Sequence, residues 1–146
     1  ISNMTPAYNE DVIDVKRGVM LRNKRSQLLV QDEIKTKAPA TIWWFAHTKA
    51  DIKISKDKKS ALMYQNGKKV RVAIFAPDEA DFFVMDAVPL PDSPDHEDQA
   101  ENENYQKLVI KLKDIANTTI AVVFNPLKTD VNVNKNLSPI KPLKKW

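Results

Sequence analysis

The pair Asn66-Gly67 sits between two runs of alternating character, Ala61-Leu62-Met63-Tyr64-Gln65 and Lys68-Lys69-Val70-Arg71-Val72-Ala73-Ile74-Phe75. Both turn residues tolerate positive φ, which a two-residue connection between antiparallel strands requires, so this segment is expected to be a β-hairpin. Val70, Val72 and Ile74 alternate with Arg71, Ala73 and Phe75, a period of two with a mostly buried second face. A chain with this hairpin at its centre is committed locally to antiparallel sheet, and the remaining sequence agrees with it.

Glycine occurs only at Gly18 and Gly67, whereas the nine prolines sit almost entirely between apolar runs. Proline cannot donate to a strand ladder, so its placement marks strand ends. Residues 12–22 read as a long strand followed by the polar turn Asn23-Lys24-Arg25-Ser26. An apolar strand over 27–34 ends in Asp32-Glu33-Ile34, a Lys/Pro turn follows, and Thr41-Ile42-Trp43-Trp44-Phe45-Ala46-His47 is a Trp-rich strand. Further strands are expected over 51–55, 81–88, 105–112 and 118–125. In the third of these, Leu108, Ile110 and Leu112 share one face while Lys107, Val109 and Lys111 take the other. No amphipathic helix stands out, and residues 95–106 lack an apolar stripe and read as an acidic loop.

About nine short strands with turn signals at steady intervals point to an all-β fold, a two-layer antiparallel β-sandwich with a loose C-terminal tail. Residues 1–127 are assigned to this single sandwich domain, and 128–146 to a basic, proline-containing tail. Val131 and Val133 alternate briefly and suggest an edge strand there. Beyond Leu137 the chain is expected to be extended and poorly ordered unless Ile140 and Leu143 dock on the body.

A length of 146 residues suffices for one buried core. No apolar run approaches the roughly 18–20 residues that span a bilayer, so no membrane insertion is expected. No basic segment followed by an apolar core opens the chain, so no signal peptide is expected, and a start at Ile1 fits a mature product or an excised piece. The absence of cysteine excludes disulfides and thiol chemistry. The net charge of +4 is uneven, because Asp92, Asp95, Glu97, Asp98, Glu101 and Glu103 lie in one stretch without Lys or Arg. The rest of the chain is strongly basic and could attract an anionic polymer. Lysine on a sheet surface is also a routine guard against edge-to-edge association, and that explanation carries more weight.

Trp43 and Trp44 are the first candidates for a binding role, because aromatic faces stack on sugar rings. On a strand they must point to opposite faces: Trp43, Phe45 and His47 to one, Ile42, Trp44 and Ala46 to the other. Both faces are apolar, so a central strand covered on both sides is expected, with core packing as the commoner role of each Trp. His47 closes that strand, with Asp51 as its only nearby acidic neighbour in sequence, and a hydrogen-bonded structural histidine fits better than a metal ligand. His96 falls in the acidic stretch, which lacks the ligand spacing and turn glycine of an EF-hand and reads as a solvated insertion. Lys56-Asp57-Lys58-Lys59 and Lys68-Lys69, with Arg71 beside the latter, are basic turn clusters able to meet sulfate or carboxylate groups, although solvated loop tips are commoner. With two glycines and no Gly-x-Ser-x-Gly elbow, phosphate-binding loop or His-Glu-x-x-His pattern, nucleotide and hydrolase chemistry find no support, and no cofactor or catalytic residue is assigned.

The order of strands over residues 12–47 resembles the start of the C-terminal β-domain of the heparinase II/III-like polysaccharide lyases. The residues that carry it are Arg17, Asp32-Glu33 after Leu28-Leu29-Val30, and Trp43 through His47, within a likeness spanning roughly residues 8–127. The resemblance implies a β-sandwich that follows an α-helical toroid in an enzyme cleaving uronic-acid polysaccharides by β-elimination. In that reaction a base takes the C5 proton of the uronate and the 4-linked oxygen departs. The base and acid roles fall to Tyr and His, mostly on the toroid, which this sequence lacks. The chain is therefore expected to be a non-catalytic accessory domain packing on that missing catalytic domain, at the periplasm or cell surface. Tyr8 and His47 are the residues to consider at the edge of a shared cleft. Trp43, Trp44, His47, Lys68, Lys69 and Arg71 are the candidates for contact with an acidic polysaccharide. A stand-alone carbohydrate-binding module and an interaction domain with no glycan role are the alternatives, and no nucleic-acid partner is expected.

Overall fold

The structure, a computed structural model, describes residues 1–8, 10–93, 102–127 and 140–146. The Asn66-Gly67 hairpin forms as expected, joining β5 (Ser60–Gln65) to β6 (Lys68–Ala76), with both turn residues at positive φ. Before it come β1 (Ser2–Asn3), β2 (Val12–Arg22), β3 (Gln27–Thr48) and β4 (Asp51–Ile54). After it come β7 (Phe82–Asp86) and β8 (Gln106–Leu127). All pairings are antiparallel, in the order β1-β2-β3-β8-β6-β5-β4, with β7 joined to β8.

The fold is all-β and sandwich-like, but its strands are fewer and longer than the turn signals suggest. Segments 27–34 and 41–47 belong to one strand of 22 residues, and 105–112 with 118–125 form another. β3 and β8 pair from Leu28 opposite Phe124 to Thr48 opposite Gln106, with register shifts only between Lys35 and Ile42. The sequence Lys35-Thr36-Lys37-Ala38-Pro39-Ala40 is thus an irregularity within a strand rather than a turn between two. Pro39 cannot donate to the ladder, and Thr36 Oγ1 donates instead to the Ile115 carbonyl across the gap at 3.0 Å. In β8 the matching irregular stretch holds Asp114 at φ 56°.

The β3–β8 ribbon folds over at this break, and its two limbs supply the two layers. The first limb of β3 and the last limb of β8 lie between β2 and β6. The other two limbs carry β7. Trp44, Phe82, Leu108 and Ile110 from the second layer share one core with Ala61, Met63, Val72 and Val122 from the first. The rings of Trp44 and Phe124 lie 6.5 Å apart across it. The core faces expected for β6 and β8 are observed, with Val72, Leu108, Ile110 and Val122 buried completely. Lys107 and Val109 on the other face of β8 are buried as well, because Phe45 and the segment around Val88 cover that face.

The last seven residues are docked rather than loose. Ile140 and Trp146 cover Leu29, Ala121 and Val123 on the outer face of the first layer, and Leu143 is only 1% exposed. The Leu143 N–H donates to Glu33 Oε1 at 2.6 Å, while the Gln31 amide and the Trp146 indole N–H both donate to the Lys141 carbonyl. Burying Leu143 alone is worth about 1.5–3 kcal/mol, and the packing of Ile140 and Trp146 together with these bonds adds to it against the cost of ordering the segment. Gly18 makes the close approach possible: a Cβ there would lie 2.3 Å from Leu143 Cδ2 and 2.7 Å from Trp146 Cζ3. The edge strand expected at Val131–Val133 and most of the acidic insertion fall outside the described residues. Among those described, no helix is long and apolar enough to cross a membrane.

Gly18→Val is expected to expel the C-terminal segment, moving Trp146 fluorescence to longer wavelength and lowering stability by about 1–3 kcal/mol in urea. In a chain ended after Pro139 the same substitution should cost almost nothing, because the atoms it collides with are gone.

Candidate functional site

β2 and β3 are joined by Asn23–Ser26, whose first three residues take φ of 45°, 54° and 69° and whose Ser26 N–H and Oγ both donate to the Asn23 carbonyl. This turn fixes the register that sets Arg17 opposite Asp32. The guanidinium donates through Nε to Oδ1 at 2.6 Å and through Nη2 to Oδ2 at 2.8 Å, a two-pronged pair. Asp32 is buried while the Arg17 side chain is 40% exposed. The hydrogen bonds to Asp32 raise the Arg17 pKa above its ordinary value, with further help from the charge of Asp32 and from Tyr8, against an opposing effect of burial. Arg17 is therefore a permanent cation, and its head is held flat by its partner.

A 3-10 turn at Thr5–Ala7 is tied to β2 by Val15 N–H donating to Thr5 Oγ1 at 2.9 Å, and it carries Tyr8 to the same region. A cavity of about 420 Å³ opens where this turn, β2 and the break in β3 meet. Its walls include Tyr8, Arg17, Asp32, Trp43 and Trp44. Residues noted separately in the sequence (Tyr8, the Arg17 and Asp32 positions, and the Trp pair) thus border one space. Trp44 is only 5% exposed, and its indole Nε1 has no hydrogen-bond partner among the described residues.

The outer face of the second layer is the other place where aromatic and charged groups meet. Trp43 and Phe45 stack with centroids 5.9 Å apart, and Phe83 from β7 meets Trp43 edge-on at 6.3 Å. Lys111 Nζ lies 4.2 Å above the Trp43 ring centre and Lys107 Nζ 4.8 Å above that of Phe45. Cations seated on π faces are stabilised there, and they occupy ring surface that a sugar would otherwise use. Lys107 is almost fully buried and donates to the Val88 carbonyl, so it is a structural member of this face. His47, at the exposed end, makes an edge contact with Phe45 at 6.1 Å.

Trp43 and His47 lie on one face and Trp44 on the other, as strand alternation requires. Trp44 turns into the core and offers no open platform. Lys68, Lys69 and Arg71 are exposed on the β5–β6 hairpin, in the first layer, and are not brought together with Trp43 and His47. In the other basic cluster, Lys59 Nζ is taken up by the Asp78 and Ala80 carbonyls and by Asp81. Its neighbour Asp57 is held below the usual carboxylate range by the Ser55 hydroxyl and by the Lys59 N–H. Among the described residues no three His, Asp or Glu side chains gather as a metal site. Lys107, Lys111 and Phe83 were not foreseen, because their meeting with Trp43 and Phe45 depends on strand pairing between distant segments. The Arg17–Asp32 pair was within reach: counting back from a four-residue turn at 23–26 sets the two opposite each other.

Arg17→Ala is expected to cost about 2–3 kcal/mol in urea unfolding, because it strands a buried carboxylate, with the exposure of the guanidinium moderating the loss. Arg17→Lys should restore only part of it, since a single ammonium cannot form the fork. Replacing the pair by Arg17→Met with Asp32→Leu should recover most of the stability.

Comparison with protein-family models gives no match, and comparison with curated proteins finds no relative of this chain.

Proposed function

We propose that the chain is a non-catalytic accessory β-domain of a larger polysaccharide lyase of the heparinase II/III-like kind, working at the periplasm or cell surface. In this reading it packs against a helical catalytic domain and stabilises it. One observation supports the reading most directly. Val19 and Leu21 are 57% and 52% exposed on the core-side face of β2, beside the half-buried Val30 and Leu28 with which they pair. This apolar surface continues the core face beyond the second layer. From Gly18 to Arg22, moreover, the outer edge of β2 has no strand partner among the described residues, because β1 pairs only with Lys16 and Arg17. Contiguous apolar surface on an open sheet edge is a recurrent mark of a protein contact, and an unprotected edge invites association.

A second reading, a module that binds acidic glycan by itself, draws on the Trp43–Phe45–Lys111 face. It is weakened by the lysines that already sit on the rings. An interaction domain with no glycan role would use the same β2 surface with a different partner.

The test uses purified helical domains of several heparinase II/III-like lyases, each stripped of its own C-terminal β-domain and mixed with this chain. Lyase activity is followed through the ultraviolet absorbance of the unsaturated uronate. At least one helical domain should regain activity with the intact chain, and a Val19→Asp/Leu21→Asp variant with unchanged melting should abolish the gain. No recovery with any domain, or recovery indifferent to the two aspartates, contradicts the reading.

A further inference from the structure

The cavity beside Tyr8, Arg17 and Asp32 has features that packing against another domain leaves unexplained. Its volume of about 420 Å³ falls in the range of small-molecule sites. Its walls combine aromatic and aliphatic groups with one fixed polar fork. Arg17 spends Nε and Nη2 on Asp32, so Nη1 retains its two N–H donors with no partner among the described residues, and each Asp32 oxygen retains accepting capacity. Tyr8 is 52% exposed at the rim, an aromatic face not used by the core. Trp44, in the wall, has a buried indole N–H that lacks an acceptor, a costly state for a polar group.

We propose that this cavity binds a single neutral pyranose unit. A pyranose has an apolar C–H face to lie on Tyr8. Its vicinal hydroxyls, two adjacent groups each able to donate and accept, match the planar donor–acceptor pair of Arg17 Nη1 and Asp32. Charge decides between neutral and acidic sugars. Asp32 already neutralises Arg17, and Asp11 in the same wall adds a negative group, so a uronate or sulfated sugar finds no unpaired cation here. An acidic polymer of the kind a basic surface could attract is therefore not the ligand of this site.

This inference does not rest on the docking role, and its failure can be told apart from the failure of that role. The full chain, labelled with nitrogen-15, is titrated separately with methyl glucoside, methyl galactoside, methyl mannoside and glucuronate at moderate salt. At least one neutral glycoside should shift the Trp44 indole and Arg17 Nε signals in the millimolar range, and glucuronate should bind more weakly. Tyr8→Ala, which removes an exposed ring and should leave melting unchanged, should weaken binding about fivefold, the loss of one aromatic contact. The Val19→Asp/Leu21→Asp variant should bind the sugar as the parent chain does. Silence of both signals toward all three neutral glycosides, undiminished binding by Tyr8→Ala, or tighter binding of glucuronate would each overturn the proposal.

Discussion

The structure depends on the antiparallel pairing of β3 with β8. Among the described residues their ladder passes from one layer to the other, interrupted only by the register shifts between Lys35 and Ile42, and their residues dominate the buried interior. A ribbon of this length cannot stay flat with both faces apolar. Folding it at the break near Pro39 and Asp114 brings Trp44, Leu108 and Ile110 over Ile120, Val122 and Phe124, so a single pair of strands buries itself against itself. The hairpin β5–β6 and strand β4 widen one layer, β7 widens the other, and β2 closes the first layer on its far side. The cavity and the bare face of β2 follow from where this leaves gaps. The fold in β3 opens the cavity, and the shorter second layer leaves the Val19 and Leu21 face of β2 bare.

The polar groups obey the same geometry. Arg17 and Asp32 are opposite each other on the core-side face, next to Ile34 and Ile120, where a lone carboxylate would be costly. The fork between them pairs both charges and leaves Arg17 Nη1 without a partner among the described residues. On the outer face of the first layer, Gln31 and Glu33 take up the backbone of the returning C-terminal segment, and Gly18 leaves room for Leu143 and Trp146. Successive residues of β3 thus serve two tasks by alternation: 32 and 34 face the core and cavity, while 31 and 33 hold the tail.

Local signals in the sequence were sufficient for the hairpin at Asn66-Gly67, the core-side faces of β6 and β8, and the opposite orientation of Trp43 and Trp44. They were insufficient at Pro39 and around Asp114, where a bend inside a strand and a turn between strands have the same residue chemistry. Only pairing with a strand some 80 positions away separates the two, and that pairing is set by the summed burial of both faces. The tail was hard to read for a related reason. Lys141, Lys144 and Lys145 give it a solvated composition, while Leu143 and Trp146 dock because a distant glycine leaves space. Lys107 reads as an outward polar residue in the alternation, yet it lies under Val88 and over Phe45.

If one folded ribbon builds both layers, the two limbs should stand or unfold together. Native-state hydrogen exchange measures this directly through the amides of Leu108–Ile110 in one layer and Val122–Phe124 in the other. Both sets are expected to exchange only by global opening, with one common free energy that matches urea unfolding. Two distinct free energies, with one limb opening while the other stays protected, would contradict it and would describe two layers that merely share a chain.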